Sequence, residues 1–432
     1  MPAAETTAPT TRQPTPQPQQ PAAFTPGRAR WLLAVAIAVA AFNLRPAVAA
    51  LGPMLDQVRG SLGMSAAVAG LLTALPSLCF ALLGLLAPTL ARRIGPAATV
   101  CAGMGAVALG LAARALAPDS AVFLLLSALA LAGIAVSNVL MPVLVKRYFP
   151  DRVGPVTGLY SMSLALGTST AAAVAVPLTS ALGGNWRVGL GVWSLTAAVA
   201  LALWLAQLAV TRRGDARAAS AGAAAGVAGM TAPAAAARFR ITRSRTAWAL
   251  AVFFGLQATA AYATMGWLPQ IFQDAGISAT ESGVLLAVTM AVGAPLAFVI
   301  PSYAARRPDQ GAIVIALSVA GLAAYAGLAF APAAAPWVWA VLAGLANCAF
   351  PLTLTMISLR SRTSEGVTRL SAFAQGTGYL ISVPGPILIG LLYQREHGWY
   401  APLAFLAVLM AAQAVVGRRA ARPRQIEDEL GR

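Results

Sequence analysis

The sequence predicts an all-α membrane protein with twelve transmembrane helices arranged in two six-helix bundles. Of the 432 residues, 59% are hydrophobic and 10% are charged, and the mean hydropathy is +0.74. The apolar stretches are each about 20 residues long, which is the length that a helix needs to cross a hydrocarbon core of about 30 Å. The second half of the apolar region also repeats features of the first half.

The first predicted helix, 31–55, contains one arginine among apolar residues, Arg45. A charge near the centre of a bilayer costs about 2.5 to 3.5 kcal/mol on insertion scales, so such a residue faces a cavity or a partner. Asp56, the next acid along the helix, is roughly 16 Å away at the rise of 1.5 Å per residue. The other predicted helices contain no Asp or Glu. We therefore expect Arg45 to recognise an anionic or strongly hydrogen-bonding solute; the alternative is an arginine that binds helix carbonyls and holds two helices together.

The other apolar stretches give eleven further spans and divide the chain into five segments. Residues 1–30 are rich in Pro, Thr, Gln and Ala, which is typical of a disordered arm. Residues 211–246 are rich in Ala, Gly and Arg and contain no large apolar cluster, as in a flexible linker. The predicted spans are 31–55, 66–90, 97–116, 121–145, 156–180, 188–210, 247–270, 282–304, 312–331, 336–358, 370–393 and 399–417. The predicted segments are a disordered cytoplasmic N-terminal arm (1–30), an N-terminal six-helix bundle (31–210), a cytoplasmic linker (211–246), a C-terminal six-helix bundle (247–417) and a basic cytoplasmic tail (418–432).

The two halves resemble each other at one constant offset. A single offset that holds through several loops indicates a parallel duplication of six helices. Two such halves predict a transporter that moves one bundle against the other around a central site, which is alternating access. The matched residues are Gly63, Ser65, Ala66 and Gly70 with Gly276, Ser278, Ala279 and Gly283, Pro88 with Pro301, Arg147 with Arg360, and Tyr160 with Phe373.

The net charge of +17 indicates how the chain is oriented in the membrane rather than nucleic-acid binding, because of where the basic residues lie. Of the 30 Lys and Arg residues, all but Arg45 and four others fall on the side of the membrane that holds both termini. Such an excess is typical of cytoplasmic loops. We therefore expect the cell inner (cytoplasmic) membrane with cytoplasmic N- and C-termini, and membrane lipids as partners of the basic residues. The four residues assigned to outer loops are Arg59, Arg114, Arg187 and Arg395.

Several stretches resemble the major facilitator superfamily and, within it, the family of cyanate and 2-nitroimidazole transporters. The resemblance covers both halves and implies the major facilitator fold. It also implies uptake or exchange of a small anionic or polar solute. The stretches are NLRPAVAALGPMLDQVRGSLGMS, AGLLTALPSLCFALLGLLAPTLARRIG, NVLMPVLVKRYFP, FFGLQATAAYATMGWLPQIFQDAGISATESG and LSAFAQGTGYLISVPGPILIGLLY.

The loop after the second helix departs from the superfamily pattern G-x-L-A-D-R-x-G-R-R. Arg93 and Gly95 are kept, but Arg92 stands where the pattern has an acid. The usual acid-based latch of the inner gate is therefore not expected, and Arg92 and Arg93 could contact helix carbonyls or lipid phosphates instead. Arg306 and Arg307 are the counterparts in the second half. The predicted gating loops therefore consist of Arg92, Arg93 and Gly95 in the first half and of Arg306 and Arg307 in the second.

The resemblance also implies which helices line the cavity, namely the first and fourth of each half with contributions from the second and fifth. Polar side chains on these helices are candidates for binding the solute. For each one the alternative is an interhelical hydrogen bond, worth about 0.6 kcal/mol on average. Gln375 and Tyr379 are four residues apart and share a helix face. The predicted substrate-binding residues are Arg45, Asn43, Asn138, Tyr160, Gln257, Tyr262, Asn347, Gln375 and Tyr379.

No cofactor, metal or catalytic residue is expected. The three cysteines lie in apolar segments without metal-ligand spacing, and the single histidine, His397, lies in a loop. A proton relay through buried acids is not predicted, so a coupling proton would be carried by the solute or by a rim acid such as Asp56 or Glu281. The expected partner is a small-molecule substrate, with a monomer as the working form. Two alternatives stay open: efflux of larger apolar compounds of the multidrug type and, with less support, a membrane enzyme.

Overall fold

A computed structural model describes residues 27–149, 152–222 and 241–430. Within these residues the chain forms helices and no strand. Twelve of the helical segments are long and apolar enough to cross a membrane. The prediction of an all-α protein with twelve spans is therefore confirmed. The predicted arm lies outside the described residues up to residue 26, as does part of the predicted linker, 223–240.

The described residues contain eighteen α-helices, of which several pair end to end to form one span. Span 1 consists of α1 to α3, span 6 of α8 and α9, span 10 of α13 and α14, and span 11 of α15 and α16. The helices are α1 Gly27–Asn43, α2 Pro46–Ala49, α3 Leu55–Leu62, α4 Ala66–Ile94, α5 Pro96–Arg114, α6 Ser120–Tyr148, α7 Val153–Ala181, α8 Trp186–Gly191, α9 Trp193–Gly222, α10 Arg245–Asp274, α11 Ala279–Ala305, α12 Gly311–Phe330, α13 Pro336–Asn347, α14 Ala349–Leu359, α15 Ser364–Ser382, α16 Pro384–Glu396, α17 Tyr400–Ala420 and α18 Ile426–Leu430.

The sequence match between the halves corresponds to the same local structure in both. Gly63 and Gly276 have positive φ angles, 59° and 88°, which a glycine adopts without a steric penalty. Two residues later, the Ser65 hydroxyl accepts a hydrogen bond from a backbone N–H in the first turn of α4, and Ser278 does the same for α11. The second span of each half therefore begins with the same turn and the same cap.

Three spans are interrupted near their middle, and prolines explain two of the interruptions. Pro46 and Pro384 are the first residues of α2 and α16. A proline lacks the N–H that would continue a helix, and its ring clashes with the preceding turn. Span 10 is interrupted at Cys348, between α13 and α14. Breaks of this kind leave backbone groups free to face a cavity or another helix.

The two halves pack closely at one of the two membrane faces. We call the face that carries Arg92 and Arg307 the basic face, and the other one the opposite face. Near the opposite face α4 lies against α16, and a Cβ atom at Gly70 would be 2.6 Å from the carbonyl oxygen of Pro386. Likewise, a Cβ atom at Gly283 would be 2.6 Å from the carbonyl oxygen of Ala172, where α11 meets α7. Glycine permits these close approaches of backbone to backbone.

The end of the chain folds back onto the basic face of the C-terminal half. The carboxylate of Glu429 in α18 accepts hydrogen bonds from the hydroxyls of Ser244, at 2.6 Å, and Thr246, at 2.7 Å, at the start of α10. Asp428 forms a salt bridge of 2.8 Å with Arg362. The predicted basic tail, 418–432, thus also includes an acidic helix that joins the ends of three spans.

Candidate functional site

Arg45 lies in the break between α1 and α2, where its backbone is not helical (φ −126°, ψ −28°). Its side chain is half-buried. The guanidinium lies beside the hydroxyl of Tyr262, and Tyr160 and Tyr379 are close enough to interact with its charge. Tyr262 and Tyr379 belong to the C-terminal half, whereas Arg45 and Tyr160 belong to the N-terminal half. The cation therefore lies at the interface of the two bundles.

The tyrosines around Arg45 are also linked to other predicted residues. The hydroxyl of Tyr160 donates a hydrogen bond of 2.6 Å to Oδ1 of Asn138. The hydroxyls of Tyr262 and Tyr379 interact with each other. The structure thus brings together five of the residues that the sequence singled out as candidates for binding a solute. We call Arg45, Asn138, Tyr160, Tyr262 and Tyr379 the central cluster.

Aromatic rings cover one side of the central cluster. The ring of Phe80 in α4 stacks on Tyr379, with centroids 5.0 Å apart and an interplanar angle of 18°. Phe254 contacts the same tyrosine edge to face at 4.9 Å. Phe350 packs on Phe254 at 5.9 Å. Sequence reasoning missed these residues because it considered only polar side chains. The signal that could have found them is their place on helices that the resemblance assigns to the cavity.

Asn43 faces away from the central cluster. Its Nδ2 donates to the carbonyl oxygens of Val39, at 2.9 Å, and Thr196, at 3.1 Å. Its Oδ1 accepts from the hydroxyl of Thr196 at 2.7 Å. The two bonds with Thr196 join span 1 to span 6 within the N-terminal half. The break after Asn43 allows Asn43 and Arg45 to point to different neighbours.

The three remaining candidates for substrate binding lie in the C-terminal half. Gln375 donates from Nε2 to the hydroxyl of Ser371 at 2.7 Å, one turn earlier in α15. Gln257 is 4% exposed and lies on α10, the helix that carries Tyr262. Asn347 is half-buried and is the last residue of α13, at the break in span 10.

The predicted gating residues lie at the ends of α4 and α11 on the basic face. Arg92 donates to the hydroxyl of Thr89 at 3.1 Å, within its own helix. The guanidinium of Arg307 lies 4.5 Å from the ring centroid of Tyr303, which is also a local contact. Gly95 ends α4 with a φ of 88°. The side chains of Arg93 and Arg306 are exposed.

A carboxylate at the opposite face is a feature that sequence reasoning placed outside the helices. Asp274 is the last residue of α10, although the predicted span ended at 270. Its carboxylate accepts from the hydroxyl of Tyr393, at 2.8 Å, and from Nε1 of Trp399, at 2.7 Å. Arg59 of the N-terminal half lies 5.7 Å from the ring centroid of Tyr393. This group joins the halves on the side where their backbones are closest.

The described residues contain no group of three or more His, Cys, Asp or Glu side chains that could hold a metal ion. Cys79, Cys101 and Cys348 are buried thiols without disulfide bonds. The chemistry that the central cluster offers is therefore hydrogen bonding and charge recognition by a guanidinium, three phenols and an amide.

Comparison with known proteins places this geometry in context. Residues 31–346 match the family described as the Major Facilitator Superfamily. The chain is 33% identical to the uncharacterized transporter YycB of Bacillus subtilis (strain 168) over 398 residues, which cover 92% of this chain and 94% of that protein. It is 32% identical to the 2-nitroimidazole transporter of Escherichia coli (strain K12) over 404 residues, or 93% and 98% of the two chains. It is 30% identical to the cyanate transport protein CynX of the same strain over 378 residues, or 87% and 94%.

The fold is similar to that of solved transporter structures. The nucleoside transporter NupG superposes with a TM-score of 0.68 at 13% identity, over 90% of this chain and 99% of that one. The identity is too low to carry any statement about the solute, so this likeness concerns the fold alone.

Proposed function

We propose that this chain moves a small anionic or polar solute by alternating access. The proposal starts from its family: the chain belongs to the Major Facilitator Superfamily and, within it, to the family of cyanate and 2-nitroimidazole transporters. The family and the relatives are transporters, so the chain is a multi-pass membrane transporter and not an enzyme. The finer proposal is a cyanate- or nitroimidazole-like solute that Arg45 recognises in the cytoplasmic membrane.

The observation that supports this proposal is the position of Arg45 within the central cluster. Its guanidinium carries a planar set of donors that match an oxyanion, a nitro group or a cyanate ion, and such charge-assisted hydrogen bonds are the strong ones. The hydroxyls of Tyr160 and Tyr262 can donate to the same solute. The stacked rings of Phe80 and Tyr379 offer an aromatic surface to a planar molecule.

The proposed mechanism uses the fact that both halves contribute to the cluster. Arg45 of the N-terminal half lies beside Tyr262 of the C-terminal half. A solute between these side chains would contact both bundles, so its binding energy can bias their relative movement. The basic face is cytoplasmic in this proposal because basic residues accumulate in cytoplasmic loops.

Transport into proteoliposomes tests the role of Arg45. We expect labelled cyanate or 2-nitroimidazole to be taken up by the wild type, and uptake to be lost in Arg45→Ala because the charged donor is removed. Arg45→Lys keeps the charge but not the planar fork, so we expect partial transport. Arg152→Ala, which changes an exposed arginine at the basic face, is the matched control and should transport normally. Normal transport by Arg45→Ala would refute the proposed role.

Efflux of larger apolar compounds is the second candidate. The aromatic group formed by Phe80, Phe254 and Phe350 favours it, because aromatic surfaces suit apolar ligands. Overexpression should then raise resistance to hydrophobic drugs, and Arg45→Ala should leave this resistance intact. Under the first proposal overexpression raises uptake instead, and Arg45→Ala abolishes it.

A further inference from the structure

A second arginine, Arg114, is buried in the N-terminal half. It is the last residue of α5, near the opposite face, and it is only 1% exposed, although the charge count grouped it with the arginines of the outer loops. Its Nη1 donates a hydrogen bond of 3.0 Å to the carbonyl oxygen of Ala47 in α2. In a continuous helix the carbonyl of Ala47 would accept from the N–H of Leu51. Here that N–H donates to the carbonyl of Val48 instead, so the carbonyl of Ala47 is free to accept from Arg114.

Most of the donor capacity of this guanidinium is unused. Nε and Nη2 of Arg114 are buried and have no hydrogen-bond partner among the described residues, and the same is true of the hydroxyl of Ser127, which is 1% exposed. Both side chains line one small cavity, together with Thr73, Ala47 and Leu131. The two residues that hold these unused donors therefore lie beside the same small cavity.

The charge of Arg114 also lacks a counterion. Within the described part of the chain no salt bridge to Arg114 is found. Its guanidinium makes a cation–π contact with the ring of Phe123, with Cζ 5.9 Å from the ring centroid. A guanidinium removed from water is strongly disfavoured unless it is paired and hydrogen-bonded. A small anion would supply both the charge and the acceptor.

The cavity lies where the two halves meet. Gly266 of α10, in the C-terminal half, forms part of its wall, while Arg114 and Ser127 belong to the N-terminal half. A Cβ atom at Gly266 would lie 2.4 Å from Cγ2 of Thr73, so the halves are in close contact here. Separation of the halves at the opposite face would remove one wall and expose the donors.

We propose that Arg114 and Ser127 form a second anion site, which takes a small monovalent anion of the size of chloride. This inference deepens the proposed function, because a negative solute entering from the opposite face would meet Arg114 before Arg45. The role of this site in transport rests on the proposed function, whereas the binding of an anion at the site is tested separately. The link from Arg114 to Ala47, two residues after Arg45, places the two sites on the same segment of span 1.

Chloride binding to the purified full-length protein tests this site. Titration calorimetry in gluconate buffer of matched ionic strength should detect chloride binding in the wild type and in Arg45→Gln. Arg114→Gln should weaken the binding at least about tenfold, Ser127→Ala a few-fold, and Arg114→Lys less than Arg114→Gln, because lysine keeps the charge. Should Arg114→Gln fail to fold, Ser127→Ala and Arg114→Lys still give the comparison.

Three results would overturn this inference. Wild type that binds no chloride would mean that water alone satisfies the three donors. Unchanged affinity in Arg114→Gln and Ser127→Ala would place any chloride elsewhere. Binding that is lost in Arg45→Gln but kept in Arg114→Gln would assign chloride to the central cluster, which supports the proposed function while refuting the second site. Uptake that Arg45→Ala leaves unchanged would refute the proposed function without affecting the binding of chloride at Arg114.

Discussion

Arg45 lies at the break within span 1 and Arg360 directly follows span 10, and their surroundings differ in a way that separates function from structure. Arg360 follows α14 at the basic face and is 2% exposed. It donates to the carbonyl oxygens of Ala420, at 3.1 Å, and Ala421, at 2.6 Å, and to Oε1 of Gln310. Every one of these acceptors belongs to the same half. Arg45 instead faces tyrosine hydroxyls from both halves.

This difference distinguishes a structural arginine from one that binds a solute. An arginine that joins helices donates its N–H groups to fixed carbonyl and amide oxygens of neighbouring helices. Arg360 does so, and it joins the ends of spans 9, 10 and 12. Arg45 contacts hydroxyl groups, which rotate and can both donate and accept. A solute can replace such partners without leaving buried carbonyl oxygens unsatisfied.

The largest expected effect on stability concerns Arg360. Arg360→Met should lower the free energy of unfolding by about 3 kcal/mol, because it leaves three buried acceptors without a charged donor. The affinity for the solute should stay unchanged, since none of these contacts reaches the central cluster. Thermal unfolding in detergent, together with the KM for uptake at a permissive temperature, measures both quantities. A changed KM with normal stability would contradict the structural role of Arg360.

A smaller effect is expected from the acidic helix α18. Burial raises the pKa of Glu429, but the hydrogen bonds from Ser244 and Thr246 outweigh it, so the pKa lies below its ordinary value of 4.5. A carboxylate with a lowered pKa stabilises the fold above pH 4.5, and this contribution is lost as the pH falls through the folded-state pKa. Glu429 is partly exposed, so we expect Glu429→Gln to cost less than about 1 kcal/mol at neutral pH.

The pH dependence of this difference is the measurement for Glu429. Wild type and Glu429→Gln should differ in unfolding midpoint at neutral pH and converge below the ordinary pKa of a glutamate. Gln425→Ala, at a neighbouring position without a charge, serves as the control and should show a pH-independent difference. A Glu429→Gln effect that is constant with pH would show that the carboxylate charge contributes nothing.

The sequence was sufficient to predict the twelve helices, the repeat of Gly63 and Ser65 at Gly276 and Ser278, and Arg45 as a candidate. These predictions rest on apolar length, on glycine and cap chemistry, and on the cost of a buried charge, all of which act locally. The sequence could not show that Arg114 is buried, because helix length alone does not decide which face of a helix end packs inward.

The partners of each side chain were also beyond prediction. Asn43 and Arg45 are two residues apart, and the exact break at Pro46 decides which neighbours they meet. Asp274 lies beyond the predicted span 247–270, because apolar patterning ends a few residues before the helix does. Phe80 was passed over because an aromatic residue in a membrane helix carries no polar signal. Each of these depends on the packing of helices that are distant in sequence.

Equilibrium binding to purified protein tests whether Arg45 recognises the solute. The ligand is the labelled small anion that gives the highest uptake by the wild type, and the proteins are wild type, Arg45→Lys, Arg45→Ala and the control Arg152→Ala. Loss of charge-assisted hydrogen bonds worth about 3 kcal/mol predicts an affinity about 100-fold lower in Arg45→Ala, with Arg152→Ala unchanged. Wild-type affinity in Arg45→Ala would contradict the claim that this guanidinium recognises the solute.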